Sequence, residues 1–241
     1  MPTLYIVALD RTRLGDALFL QSLAQHIQKA MPGAPTCLFI HGSGEKLDRT
    51  LEAQGIFPER TDEGLLQVDR PEEAQLVERA VREMNQSIVG TLTDEVVPAV
   101  GIQGVDRGLL RTEDGTVTTG GLGWLEALLK QHVLPVVSAL VPGGDSPYAR
   151  EVPLADAVLA LANGLSDAFT CRPTVFTTTG HAGLMDATGT PTEATLDAVS
   201  PDAVPAHAVV SRAVAHDYAP LVTSPGGLFG SDEPSGTTLH A

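Results

Sequence analysis

Apolar and polar positions along this chain fall into two alternating patterns, short unbroken apolar runs and longer stretches with a helical spacing. Leu4 to Leu9 (LYIVAL) is an apolar run of strand length. Leu14 to Ala30 follows with Leu20, Leu23 and Ile27 on one helical face, and Met31-Pro-Gly-Ala-Pro35 ends it. Thr36 to Ile40 predicts a second strand that runs directly into His41-Gly-Ser-Gly44 and a helix from Glu45 to Gln54. Residues 54–67 read as loops and short strands. Asp69, Pro71 and Glu72 make a helix start, and the helix continues to about Thr91 with Val77, Val81, Met84 and Ile88 inward.

The middle of the chain carries Ala99 to Thr112, AVGIQGVDRGLLRT. Its glycines, Gly101, Gly104 and Gly108, allow positive φ or close backbone approach, and its apolar residues read as short buried strands. Arg111 to Gly121 predicts a hairpin turning at Asp114-Gly115. Then come a short helix (Trp124 to His132), a strand (Leu134 to Leu140), a Pro/Gly loop (Val141 to Val152) and a helix (Leu154 to Ala168). Thr174 to Thr178 predicts another strand, residues 188–205 a turn-rich stretch, Ala206 to His216 a helix and Pro220 to Thr223 a last strand, before a glycine-rich tail from Gly226. Helices alternating with buried strands predict an α/β fold, an open and mainly parallel sheet covered on both faces.

Composition narrows the function. With 241 residues, 43% of them apolar, there is ample length for a core, and no apolar run approaches the eighteen or so residues of a membrane span. The opening MPTLYIVALD reads as a first strand and not a signal peptide. A net charge of −15 argues against nucleic acid, whose phosphates need clustered Lys and Arg. Cys37 and Cys171 have no metal-type spacing and read as free thiols, and the seven histidines form no zinc pattern. A membrane partner is not expected, the composition leaves room for a small-molecule ligand, and the location expected is cytoplasmic.

His41-Gly42-Ser43-Gly44, a glycine turn between a strand and a helix, can aim backbone N–H groups at phosphate. It can equally be a plain tight turn, with His41 a hydrogen-bonded strand-end histidine. Asp106 reads as a turn residue. Asp156, near a helix start, suits the helix dipole.

The order of these segments resembles the amino-acid kinase family, in particular its acetylglutamate kinases, over essentially the whole chain. AVGIQGVDRGLL looks like the family's "AVGLSGxDGGLL". Gly121-Leu-Gly-Trp124 is similar to its glycine turn, Leu134 to Ser138 to its "IPVV" strand, and Ala155-Asp156 with Ala160 and Ala162 to "NADxxA". His41-Gly-Ser-Gly44 matches "HGGG" with one serine, Gly183-Leu-Met-Asp186 is similar to "GVLD", and Gly236-Thr237 to the closing "GT". The resemblance implies one three-layer αβα domain, residues 1–150 on the substrate side and 151–241 on the nucleotide side. It also implies ATP and Mg²⁺ as cofactors, a homodimer, and phosphoryl transfer to a carboxylate.

Carried over residue by residue, it makes Asp156 and Arg11 the catalytic candidates, His41, Gly42, Ser43 and Gly44 the phosphate-binding ones, and Gly64 and Gly104 the substrate-side ones, with no metal ligand. The departures concern charge. The family's first lysine falls at or near Ala8, with Asp10 and Arg11 in place of its Gly-Gly turn. Val204 to Ala208 lacks the second lysine. Leu66 stands where the substrate arginine belongs, and Val152 and Leu154 replace two asparagines. The three lysines, Lys29, Lys46 and Lys130, lie elsewhere. Losing one donor to transition-state charge costs roughly 2.7–4 kcal/mol. The reading is therefore a kinase-like protein with lost or strongly reduced phosphoryl transfer and a binding or regulatory role. The alternatives are an active carboxylate kinase in amino-acid biosynthesis that uses Arg11 or Arg13, with His207, in place of lysines, and an ordinary acetylglutamate kinase whose lysines are misaligned. For Arg11 and Arg13 the plainer reading is a solvated first helical turn.

Overall fold

Strands with long buried runs form the centre of the molecule, and the helices pack on both sides of them. The computed structural model describes residues 1–241 apart from 54, 58, 62–64, 69, 186–188, 205 and 232 and the side chains of residues 46 and 50. In chain order the elements are β1 (Thr3–Leu9), α1 (Arg11–Leu14), α2 (Ala17–Ala30), β2 (Cys37–His41), α3 (Glu45–Ala53), α4 (Pro71–Asp94) and β3 (Ala99–Gln103). They continue with β4 (Leu110–Glu113), β5 (Thr116–Thr119), α5 (Gly123–Lys130), β6 (Leu134–Ser138), β7 (Leu140–Val141), β8 (Arg150–Glu151) and α6 (Leu154–Leu165). The last are β9 (Thr170–Phe176), β10 (Glu193–Thr195), α7 (His207–Ala215), β11 (Leu221–Thr223), α8 (Pro225–Phe229) and β12 (Thr237–His240).

Eight strands make one sheet in the order β10-β12-β11-β9-β1-β2-β6-β3, and every neighbouring pair is parallel except β11 with β12. Successive residues of β1 feed opposite faces, as the two-residue period of a strand requires. Tyr5, Val7 and Leu9 pack with Leu23 and Ile27 of α2, Ile88 and Leu92 of α4 and Phe229 of α8. Leu4, Ile6 and Ala8 pack with Leu125 of α5, Leu161 of α6 and Val210 of α7. The result is the expected three-layer αβα sandwich. A smaller cluster, Leu47 and Leu51 of α3 with Val77 and Val81 of α4, covers the region beyond β2.

Most expected elements form, with instructive differences. The single helix expected from Leu14 is broken. Asp10 caps α1 by accepting from Thr12 N (2.9 Å) and Arg13 N (3.1 Å), and Asp16 caps α2 by accepting from Phe19 N (3.0 Å). Two capping aspartates six residues apart divide a pattern that apolar spacing alone runs together. The hairpin turns at Asp114-Gly115 as expected, both residues having positive φ (50° and 79°) between the paired Glu113 and Thr116. Pro71 opens α4.

Leu109 sits in a bend, not a strand, just before β4 starts at Leu110, with its carbonyl accepting from Gly120 N (3.3 Å). β9 begins at Thr170, four residues before the apolar run that suggested it. The tail is more than a tail. It supplies α8 and β12, the antiparallel strand whose Thr237 hydroxyl donates to Pro191 O (2.6 Å) and accepts from Leu184 N (3.0 Å). The Pro/Gly loop expected at residues 141–152 contains a two-residue ladder, Leu140 opposite Glu151 and Val141 opposite Arg150, which matters for the site. Among the described residues no helix is long and apolar enough to cross a membrane.

Candidate functional site

Parallel strands all present their carboxyl ends on one side, and in open α/β sheets ligands bind there. Here β1 ends at Leu9 and β2 at His41, side by side. The glycine turn follows β2, and the β7–β8 ladder brings Glu151 onto it. That ladder is held at both ends. Val152 N donates to Ala139 O (3.0 Å), and Ala149 N donates to Glu78 Oε2 on α4 (2.8 Å).

Glu151 enters the space a side chain on Gly42 would fill, since a Cβ there would overlap the Glu151 carboxylate. Ser43 N donates to Glu151 Oε1 at 2.5 Å. An N–H of the turn expected to hold phosphate is thus taken by an anion of the chain itself. The residue as a whole keeps some exposure, but Oε2 is buried and has no hydrogen-bond partner. Burial pushes the Glu151 carboxyl above the usual carboxylate range, against the lowering effects of Ser43 and the Arg60 guanidinium and with a smaller push from Asp48.

The cations of this region make contacts within the chain, although Arg13 Nε is buried without a hydrogen-bond partner. Arg11 pairs with Asp48, and Arg60 reaches the same carboxylate through Nε (3.1 Å) and Nη2 (2.6 Å). Arg13 donates to Thr177 O and lies 4.4 Å from the Phe19 ring centroid. Arg212 of α7 pairs with Asp156 in the first turn of α6. Arg11 and Arg13 are therefore not merely the solvated helical turn that the sequence also allowed. Their guanidiniums reach α3 and the end of β9.

A cavity of about 170 Å³ opens beside Glu151. Its apolar wall includes Leu9, Leu14, Val152, Leu154 and Val209, and its polar groups are Asp10, Arg11, Ser43 and Glu151. Of the residues singled out from sequence, Arg11, Gly42 and Ser43 line this cavity. His41 is the register partner of the cavity-lining Leu9 but is not itself among the residues that line the cavity. It is fully buried, its Nδ1 lies 3.0 Å from Gly42 O, and its Nε2 lies 3.0 Å from Asn85 Nδ2. Burial pulls the His41 imidazole down to about 4. Gly44 faces Met84 and Leu14, and Gly104 lies against the Ser138 and Leu140 carbonyls. Asp106 accepts from Gln103 N (2.8 Å), a turn role. Gly64 lies outside the described residues.

Glu151, Asp48, Arg60, Asn85 and Arg212 were not singled out from the sequence. Only Glu151 left a trace there, a charged pair (Arg150-Glu151) between the apolar Ala149 and Val152. Nothing local marked Asp48 as the meeting point of two arginines 37 and 12 residues away.

The residues present do not fit Mg²⁺-ATP in the manner the glycine turn suggests. Its Ser43 amide is satisfied by a carboxylate, which would repel phosphate, while Arg11 and Arg60 share Asp48 and Arg212 is held by Asp156. Among the described residues no cluster of three or more His, Cys, Asp or Glu is placed to hold a metal ion.

No protein-family model matches the chain. Curated relatives do. The acetylglutamate kinase of Roseiflexus castenholzii is 30% identical over 177 residues, covering 69% of this chain and 66% of that one. The acetylglutamate kinase of Deinococcus radiodurans is 34% identical over 121 residues, covering 47% and 46%. The aligned part thus spans just under two thirds of the first relative and about half of the second. Among solved structures, an isopentenyl phosphate kinase superposes with a TM-score of 0.64 at 14% identity, covering 98% of this chain and 99% of that one. Sheet order, layers and superposition together define an amino-acid kinase fold. The chain belongs to the amino-acid kinase family and is acetylglutamate kinase-like in sequence.

Proposed function

We propose that this chain is an amino-acid kinase-like protein that has given up phosphoryl transfer and keeps its strand-end cavity as a small-molecule binding site with a regulatory role. The observation that carries this reading is the Glu151 carboxylate on Ser43 N–H, 2.5 Å away. Phosphoryl transfer is mostly positioning and charge neutralisation. A fixed anion where phosphate oxygens would sit opposes both. Supporting it, the expected lysine positions hold no lysine, and Arg11, the cation lining the cavity, already has a carboxylate partner.

A second reading, an active carboxylate kinase, draws on one observation: Arg212 of α7 meets Asp156 of α6 and brings a guanidinium close to the region where the second lysine is missing. The two separate by trapping. The purified protein is incubated with Mg²⁺-ATP, N-acetylglutamate and hydroxylamine, which converts any acyl phosphate to a hydroxamate. The expected result is no hydroxamate above a protein-free control. Hydroxamate formation that scales with protein concentration would overturn the non-catalytic reading. The homodimer implied by the family resemblance is a further proposal, checked by light scattering.

A further inference from the structure

The cavity beside Glu151 has a charge balance that selects its ligand. Two carboxylates line it, Asp10 and Glu151, against one guanidinium, Arg11, which shares Asp48 with Arg60, a second guanidinium close enough to act on Glu151 from outside the lining. Asp10 uses Oδ1 to cap α1, and none of the hydrogen bonds among the described residues uses its Oδ2. Glu151 spends Oε1 on Ser43 N–H and leaves Oε2 buried and unpartnered. A buried acceptor without a donor costs free energy that a ligand supplying the donor recovers.

An anionic ligand would have to displace Glu151 from the Ser43 amide or Asp48 from Arg11. A cationic or N–H-rich one displaces nothing charged. The rest of the wall is aliphatic, and about 170 Å³ is close to the ~150 Å³ cavity that accommodates a six-carbon ring.

We infer that this cavity binds a small primary amine, its ammonium group between Asp10 and Glu151 and its short aliphatic body against Leu9, Leu14, Val152 and Val209. The assignment rests on the reading of the site as a pocket without phosphoryl transfer, and it reverses the ligand charge that a carboxylate kinase requires. On this assignment the ammonium donates to the two carboxylates, with the Glu151 carboxyl turning its closed-off Oε2 toward the cavity while Oε1 stays with Ser43 N–H, and Arg11 stays with Asp48.

The test is a pair of calorimetric titrations of the full chain with isobutylammonium chloride and sodium isovalerate, which share one aliphatic body and differ in head-group charge. The expected result is saturable binding of isobutylammonium, with isovalerate at least about tenfold weaker, the scale set by a charge-assisted bond. Glu151→Gln, which retains an acceptor for Ser43 N–H, should weaken the amine about tenfold or more by the same measure. Asp10→Asn, which retains a helix cap, should weaken it too, so the inference does not hang on one variant. Equal or tighter binding of isovalerate, no saturable binding of the amine, or amine binding indifferent to both substitutions would each overturn it. Failure here with no hydroxamate in the trapping experiment leaves the non-catalytic reading standing, whereas hydroxamate formation removes that reading and this inference with it.

Discussion

Two buried polar groups flank the glycine turn, and they are treated oppositely. His41, just before Gly42, is satisfied on both ring nitrogens. Its Nδ1–H donates to Gly42 O, which leaves Nε2 to accept from Asn85, and Asn85 also donates to Val136 O (2.8 Å). The imidazole is held neutral and closed off. Glu151, reaching the same turn from the β7–β8 ladder, is satisfied at one oxygen and orphaned at the other, next to a cavity. A closed network rigidifies a fold, while a half-closed one marks a place where another molecule completes the set. His41 therefore belongs to the scaffold and Glu151 to the site.

The sharpest way to break this contrast is Asn85→Ala. It orphans the buried His41 Nε2, and at 1–3 kcal/mol for a buried group without its partner the expected loss is about 1–3 kcal/mol, read by urea unfolding. A loss below about 1 kcal/mol would mean the His41 side is no more closed than the Glu151 side.

Acid unfolding tests the same pair by sign. His41 is depressed to about 4, so between its ordinary 6.5 and 4 the unfolded chain binds more protons than the folded one. Stability should fall as pH drops through that window, by roughly 3 kcal/mol at 1.36 kcal/mol per unit. Glu151 is raised, so its contribution runs the other way and is lost as pH rises through its folded pKa. The stability of Glu151→Gln relative to wild type should accordingly increase between pH 4 and 7. A difference that stays flat or falls would contradict a buried, charge-penalised Glu151.

A smaller effect sharpens the geometry. Gly42→Ala places a methyl on the Glu151 carboxylate, and in a Glu151→Ala background that conflict disappears. A double-mutant cycle should give a coupling of about 1–3 kcal/mol, and additivity would mean the carboxylate does not occupy the turn. Smallest of all is Arg11→Gln. Its pair with Asp48 is partly exposed and Asp48 keeps Arg60, so unfolding should shift by no more than about 1 kcal/mol.

Much of the scaffold was legible in the sequence because it depends on local patterns. The β1, β2 and β6 runs, the Asp114-Gly115 turn and Pro71 at the start of α4 each carry their signal within a few residues. What was missed depends on distant partners. β12 reads as a loop until β11 lies beside it, and the Asp16 cap was hidden under continuous apolar spacing. At the site, the glycine turn and Arg11 were visible, and the missing lysines were visible through the family resemblance. Glu151 was not, since its role comes from a two-residue ladder that places it on a turn 108 positions away. Gly42 was singled out for the phosphate it could admit, but nothing local to it discloses that a carboxylate already lies there.

The most direct test of that occupancy is calorimetric titration of Mg²⁺-ATP into the purified full chain at physiological salt. The expected result is no saturable heat up to millimolar nucleotide, because the Glu151 carboxylate holds the amide that phosphate would need. Micromolar binding would contradict it, and would mean that Glu151 leaves the turn when nucleotide arrives.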